Sequence, residues 1–264
     1  MQNNRVLKLS SADNVRELGG YKTTDGRQIK WHKLLRCGAL SFIQQPDLQV
    51  LEDYGVKYDV DLRSGQETRQ HQDQVEASNI KYIFDPVFNE DRTDNSQDPE
   101  EFHKIVETDP NYALNHMTNV YRQMITKPAC RKAFHELFEI LLANQAENES
   151  VLFHCTAGKD RTGLAAVFVL SALGVDLETI KADYLMTNEV VKAVTEKKVA
   201  YVKRNGFSDR AAENMRTLYS VRIEFLEAAL AEIDHHYGSM DNFLKAGIGL
   251  TDQNLSDLKA NYLE

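Results

Sequence analysis

The sequence predicts one α/β domain with a short, mostly parallel central sheet and an enlarged helical C-terminal half. Three observations predict it. Short β-type runs at Lys33–Arg36, Val56–Leu62, Lys81–Phe84 and Val151–His154 are separated or followed by longer helical patterns, as a parallel sheet requires. From Asp176 onward the chain reads almost entirely as helix. No internal repeat, low-complexity tract or boundary interrupts residues 1–264.

Between the third and fourth runs, Asn89 to Glu101 reads NEDRTDNSQDPEE. It has no apolar residue and cannot join a core, so it is read as a solvated loop, with a lid as the alternative. Pro128–Ala143 then places Cys130, Ala133, Phe134, Leu137, Phe138, Leu141 and Leu142 on one face, an amphipathic helix with Pro in its first turn. After Val151–His154 comes a tight loop and the apolar helix Leu164–Leu173. Breaks in the helical half fall at Asn205-Gly206, Tyr237-Gly238-Ser239 and Gly247-Ile248-Gly249.

Composition narrows the function. The 264 residues carry 40 acidic and 31 basic side chains, a net charge of −9. An acidic surface disfavours sequence-independent binding to nucleic acid or anionic membrane. The longest apolar stretch, Gly163 to Val175, is too short for a membrane span. The start, Met1 to Arg5, has no apolar run of the export type. Three cysteines, Cys37, Cys130 and Cys155, cannot all pair, so free thiols in a reducing, cytoplasmic setting are expected.

The chemistry lies in Val151 to Gly163, where a buried strand turns into a helix N-terminus. Such a turn aims successive backbone amides at one point and backs them with the positive end of the helix dipole, making an anion nest. Cys155 opens the loop as a nucleophile, and Arg161 closes it with a guanidinium able to grip two phosphate oxygens. A free thiol near pKa ~8.5 is only a few per cent ionised at neutral pH. Lowering it to about 5 asks for roughly 5 kcal/mol, and a helix dipole supplies at most ~2. The remainder is expected from loop amides, from the Thr162 hydroxyl and from Arg161.

His154-Cys155-x5-Arg161-Thr162-Gly163 matches the signature loop of the cysteine-dependent protein tyrosine phosphatase superfamily. The fuller string HCTAGKDRTG resembles the bacterial branch of atypical tyrosine and dual-specificity phosphatases of the mycobacterial protein tyrosine phosphatase B type. Asn14 to Gly20, Leu35 to Ser41, Asp61 to Ser64 and Tyr237 to Ser239 add to that likeness. The resemblance implies a tyrosine-phosphatase-like three-layer fold and a phosphocysteine intermediate. Cys155 would attack phosphorus, while Arg161 and the amides of Thr156, Ala157, Gly158, Lys159, Asp160 and Arg161 hold the phosphoryl oxygens. Conventional members carry their general acid on a Trp-Pro-Asp loop, but the one tryptophan here, Trp31, precedes His32-Lys33. The resembling branch has an Asp inside the signature loop, and Asp160 stands at that position as acid and then base. Asp85, Asp91 and Asp94 are the alternatives, and Asp160 has a second possible role as a helix cap.

Around this centre, Lys159 is expected to contact phosphate, and the resemblance links its charge to polyphosphorylated ligands. His154 is expected to pack behind the sulfur and orient it. Asp61 and Arg63 end a strand where a parallel-sheet site opens, and an internal ion pair that positions loops is their expected role. Cys37 and Cys130 are read as structural. The remaining histidines show no ligand spacing, so neither a metal nor an organic cofactor is expected. Helices between Glu189 and Leu218 are a candidate lid. The expected function is hydrolysis of phosphoric monoesters by a monomer, on phosphotyrosine in proteins and with dual specificity. Phosphoinositides or inositol polyphosphates are the alternative substrates, and a non-catalytic phosphate-binding module is the alternative of another class.

Overall fold

A computed structural model describes residues 5–90, 92 and 99–264. Among them, five strands make one sheet: β1 (Arg16–Glu17), β2 (Leu34–Cys37), β3 (Val56–Asp61), β4 (Lys81–Phe84) and β5 (Ser150–His154), in the order β1-β2-β5-β3-β4. β2, β5, β3 and β4 run parallel, and β1 is antiparallel to β2. The expected strand runs agree to within a residue at most ends. β1 carries no sequence signal, because two residues are too few to show alternation.

β5 occupies the centre, with all five residues buried. Its register sets Cys37 of β2 and Asp61 of β3 level with His154. All four parallel strands therefore end at one edge, and the chain segments that leave them converge there. This is what positions the site.

Helices cover the sheet on both faces. α1 (Gln45–Tyr54) and α2 (Gly65–Gln70) flank β3. α3 (Pro99–Thr108) and α4 (Tyr112–Thr126) lead to α5 (Pro128–Ala143), so the tail of the polar Asn89–Glu101 segment opens a helix rather than remaining loop. α5 has the expected bounds and buries the expected face, except that Leu142 stays half-buried. α6 (Arg161–Leu173) is apolar all round and buries twelve of its thirteen residues, which makes it the spine of the core. α7 (Leu177–Arg204), α8 (Asp209–Tyr219) and α9 (Ile223–Tyr237) follow, with a short α10 (Met240–Asn242), a π-helical turn at Phe243–Gly247 and α11 (Asp252–Tyr262). The breaks fall where the turn residues sit: α7 stops before Asn205-Gly206, and α9 stops at Gly238, whose φ of 75° suits glycine. Among the described residues no helix is long and apolar enough to cross a membrane.

Candidate active site

The loop between β5 and α6 is held open from outside. Asn14 Nδ2 donates to the carbonyls of Ala157 (3.1 Å) and Gly158 (2.9 Å), and Arg36 Nη2 donates to Gly158 O at 2.9 Å. Drawing these carbonyls outward turns the peptide planes so that their N–H groups face the cavity. Among the described residues no amide from Thr156 to Asp160 donates to a backbone carbonyl. Gly158 takes φ of 63°, and a Cβ there would lie 2.2 Å from Cys37 O, so only glycine fits this corner. Arg36 is fixed in turn by Asp183 of α7 at 3.0 Å, and Arg16 bonds Asn14 and Thr187. Asn14, Arg16 and Arg36 stood in the sequence only as members of family-like strings; their work on the loop carbonyls depends on long-range contacts.

Cys155 lies at the floor of this loop with 2% of its surface exposed. Burial opposes ionisation of its thiol, but the Arg161 charge and the Thr162 hydroxyl and amide outweigh it, and the thiol is held below its ordinary value. The Thr162 hydroxyl is buried and engages no other group, which leaves it to the sulfur. Cys37 and Cys130 go the other way: burial pushes Cys130 up to about 12 and Cys37 well up. All three thiols are unpaired and buried, so environment and not burial distinguishes Cys155.

Arg161 is gripped by Glu67 in a two-point fork, Nη1 to Oε2 at 2.7 Å and Nη2 to Oε1 at 2.8 Å. Glu67 also accepts from the Thr156 hydroxyl and closes a capping box with Ser64 at the start of α2. Burial alone would raise its pKa, yet Arg161 and these donors bring it down to about 2. Glu67 was missed from sequence. The Ser64-x-x-Glu67 capping pattern was there to find, but nothing in it points 94 residues ahead to Arg161.

Beneath the sulfur lies a closed cluster. His154 Nδ1 is 3.0 Å from the Cys155 carbonyl, and its Nε2 lies 3.0 Å from both Asp59 and Asp73 and 3.9 Å from Asp61. Burial disfavours the imidazolium, but the three carboxylates hold the His154 pKa well above its usual value. Arg63 forks onto Asp61 (2.8 and 2.6 Å) and reaches Asp73 at 2.8 Å. Asp61 and Arg63 thus form a buried pair, while Arg63 also tethers the 71–73 segment by donating to His71 O. Among the described residues Asp59, Asp73 and His154 are the set that could ligate a metal. Arg63 already occupies the Asp73 oxygen that faces His154, so the set fits a shared proton better than a divalent cation.

Asp160 sits at the N-cap of α6, but its carboxylate makes no cap bond. It accepts from Tyr121 Oη at 3.0 Å and faces Lys159 Nζ at 3.0 Å. Lys159 in turn donates to the carbonyls of Leu218 (2.6 Å) and Ser220 (3.1 Å), so its ammonium points at the end of α8. Asp85 is buried against α5 and does not line the cavity; burial and the Glu136 charge raise its pKa to about 7. Asp91 and Asp94 lie outside the described residues.

The loop opens into a cavity of ≈ 550 Å³. Phe42 and His71 stand on one side, Val190, Val194 and Lys198 of α7 with Tyr219 of α8 on the other. A sulfur, a guanidinium and inward amides at the mouth of a parallel sheet define a phosphate-handling α/β enzyme of the tyrosine-phosphatase-like fold. Residues 7–264 match the profile described as the tyrosine phosphatase family, and the chain belongs to that family. It is 28% identical over 271 residues to the triple specificity protein phosphatase PtpB of Mycobacterium tuberculosis, covering 92% of this chain and 94% of that protein. A Cupriavidus necator protein with a provisional tyrosine-protein phosphatase name is 27% identical over 263 residues, 100% of this chain and 90% of the relative. A tyrosine-protein phosphatase of Nostoc commune is 27% identical over 230 residues, 85% and 72% respectively.

Proposed function

We propose that this tyrosine phosphatase family member hydrolyses phosphoric monoesters through a phosphocysteine, with phosphotyrosine in proteins as its first substrate and dual specificity beyond it. The observation that carries the proposal is the contrast among three buried thiols, of which Cys155 alone is drawn toward the thiolate. Its sulfur attacks phosphorus in line, forming the S–P bond as the ester P–O bond breaks. Asp160 gives its proton to the leaving oxygen. The loop amides and Arg161 carry the charge on the three equatorial oxygens, with Glu67 keeping the guanidinium in plane until phosphate takes its place. Asp160, now ionised, removes a proton from water, water attacks phosphorus, and the S–P bond breaks to release phosphate and regenerate the thiolate. No organic cofactor takes part in these steps.

The protein acts as one domain over residues 1–264 and as a monomer, with the helices between Glu189 and Leu218 serving as the lid. Three unpaired thiols support a cytoplasmic setting. Rapid quenching of turnover followed by mass spectrometry should find +80 Da, the mass of a phosphoryl group, on the Cys155 peptide (about 80 Da). No adduct there, with turnover surviving Cys155→Ser, sinks the proposal, whereas phosphate binding with no turnover by the wild type leaves the binding-module alternative.

One observation favours a second substrate class. Lys198 lines the cavity and rests on the Tyr219 ring at 4.1 Å, with Asp13 of the same cavity as its acidic neighbour. A second anionic group on the substrate, as in phosphoinositides and inositol polyphosphates, would pair with it. A release assay comparing phosphotyrosine peptide with inositol lipids at matched concentration separates the two classes.

A further inference from the structure

We propose that Tyr121 and Lys159 are positioning residues for Asp160, and that they tie this acid to helices α7 and α8. The inference rests on the reading of Asp160 as the general acid. Asp160 is 4% exposed, and both of its oxygens are engaged from outside its own helix. Tyr121 of α4 donates to Oδ1 at 3.0 Å, and the Tyr121 oxygen accepts from Tyr184 of α7 at 2.8 Å. The two rings meet edge-on with centroids 6.3 Å apart. Lys159 stands 3.0 Å from Oδ2 and places its other hydrogens on Leu218 O and Ser220 O, at and just beyond the last turn of α8.

Packing alone does not call for these groups. Phenylalanine would fill either tyrosine site, and each buried hydroxyl incurs a desolvation cost that only its hydrogen bonds offset. Both phenols are pushed well above their ordinary value by burial and by the Asp160 charge, so they remain donors throughout the working range. The ammonium of Lys159 has three hydrogens and three acceptors. It is thereby held between the acid and the end of α8.

The consequence is directional. A carboxyl that must hand a proton to a leaving oxygen needs a fixed rotation, which the Tyr121 bond supplies. Both donors stabilise the ionised form, which suits the second half-reaction, when Asp160 removes a proton from water. The charged and titratable groups facing this set are Cys155 and Lys159 in the loop, Tyr121 on α4, and Tyr184 and Lys198 on α7. Arg36 of β2 and Glu224 of α9 face Tyr184. Removing a donor frees that rotation, and the loss falls on the ester whose leaving oxygen most needs the proton.

The test compares wild type, Tyr121→Phe, Tyr184→Phe, Lys159→Met and Asp160→Asn on an aryl phosphate and an alkyl phosphate from pH 5 to 9. Tyr121→Phe should lower kcat on the alkyl ester about tenfold and on the aryl ester less than about threefold. Lys159→Met should change the alkyl-to-aryl ratio further, and Tyr184→Phe less. Alkylation of Cys155 by iodoacetamide should keep its wild-type rate in Tyr121→Phe. An unchanged alkyl-to-aryl ratio overturns the proposal, as does an equal loss on both esters with slowed alkylation. Should Tyr121→Phe melt too early to assay, Tyr184→Phe, which leaves the Tyr121 phenol in place, decides on the same readouts. Asp160→Asn serves the underlying reading: equal losses on both esters from this variant remove Asp160 as the acid, whatever the tyrosines do.

Discussion

On the strand side of the Cys155 loop, β3, β5 and α2 bring together Asp59, Asp61, Arg63, Asp73, Glu67 and His154, all buried and nearly all engaged with an opposite charge. On the helix side, α7 and α8 face the same cavity with Val190, Val194, Thr195 and Tyr219, and with Lys198 resting on the Tyr219 ring. The strand side behaves as a rigid electrostatic frame. Every change there disturbs a network whose members compensate one another. The helix side reaches the loop through Asp183, which holds Arg36 and Arg16, and otherwise faces the cavity with mostly apolar side chains.

Arg161→Lys breaks the frame at its most exposed consequence. A point charge cannot hold two equatorial oxygens in one plane, so kcat on p-nitrophenyl phosphate should fall by about 10³-fold. Survival of a tenth of the activity would mean that the loop amides suffice and the frame matters less than its burial suggests. Glu67→Gln tests the same frame one contact back. Removing one partner of a buried pair leaves the guanidinium uncompensated, at a cost of about 3–5 kcal/mol, so a clear fall in Tm and about a tenfold loss in kcat/KM are expected. The sign with pH follows from the depressed pKa. Wild-type Glu67 contributes stability that is full above its ordinary 4.5 and lost as pH falls through about 2. Glu67→Gln should lose that acid-side slope, and thermal melts across pH 2 to 6 would detect its persistence. Lys198→Ala probes the helix side. KM for an inositol polyphosphate should rise by about fivefold while p-nitrophenyl phosphate changes by less than about twofold. Equal effects on both would make Lys198 part of the general anion field.

The difference between the two sides also governs how much could be read from the sequence. β5, its loop and α6 are contiguous, and local rules sufficed: apolar run, Gly corner at Gly158, nucleophile and guanidinium at fixed spacing, then an all-apolar helix. The Pro128–Ala143 helix was legible to the residue for the same reason. Glu67, Asp59 and Asp73 were not, because each meets its partner only through strand order and register. Nor was the orientation of Lys159, which depends on where α8 ends. A lysine two residues from an arginine in an anion-binding loop looks like a second phosphate ligand until the carbonyls of Leu218 and Ser220 are placed beside it.

Asp85 offers the smallest effect and the cleanest control. It follows β4 on the strand side, yet it takes no part in the frame: its neighbours are Lys132 and Glu136 of α5, and one of its oxygens has no partner. Burial raises its carboxyl from 3.8 to about 7, so the folded protein binds that proton more tightly than the unfolded chain. Its effect on stability is therefore opposite in sign to that of Glu67. Stability associated with Asp85 is full below pH ~4 and lost as pH rises through about 7, by a few kcal/mol at 1.36 per unit. Asp85→Asn should melt above wild type at pH 8 and level with it at pH 4, while kcat on alkyl and aryl phosphates stays unchanged. A selective loss on the alkyl ester would instead bring Asp85 to the leaving group, and the frame would then extend to β4 and the segment after it.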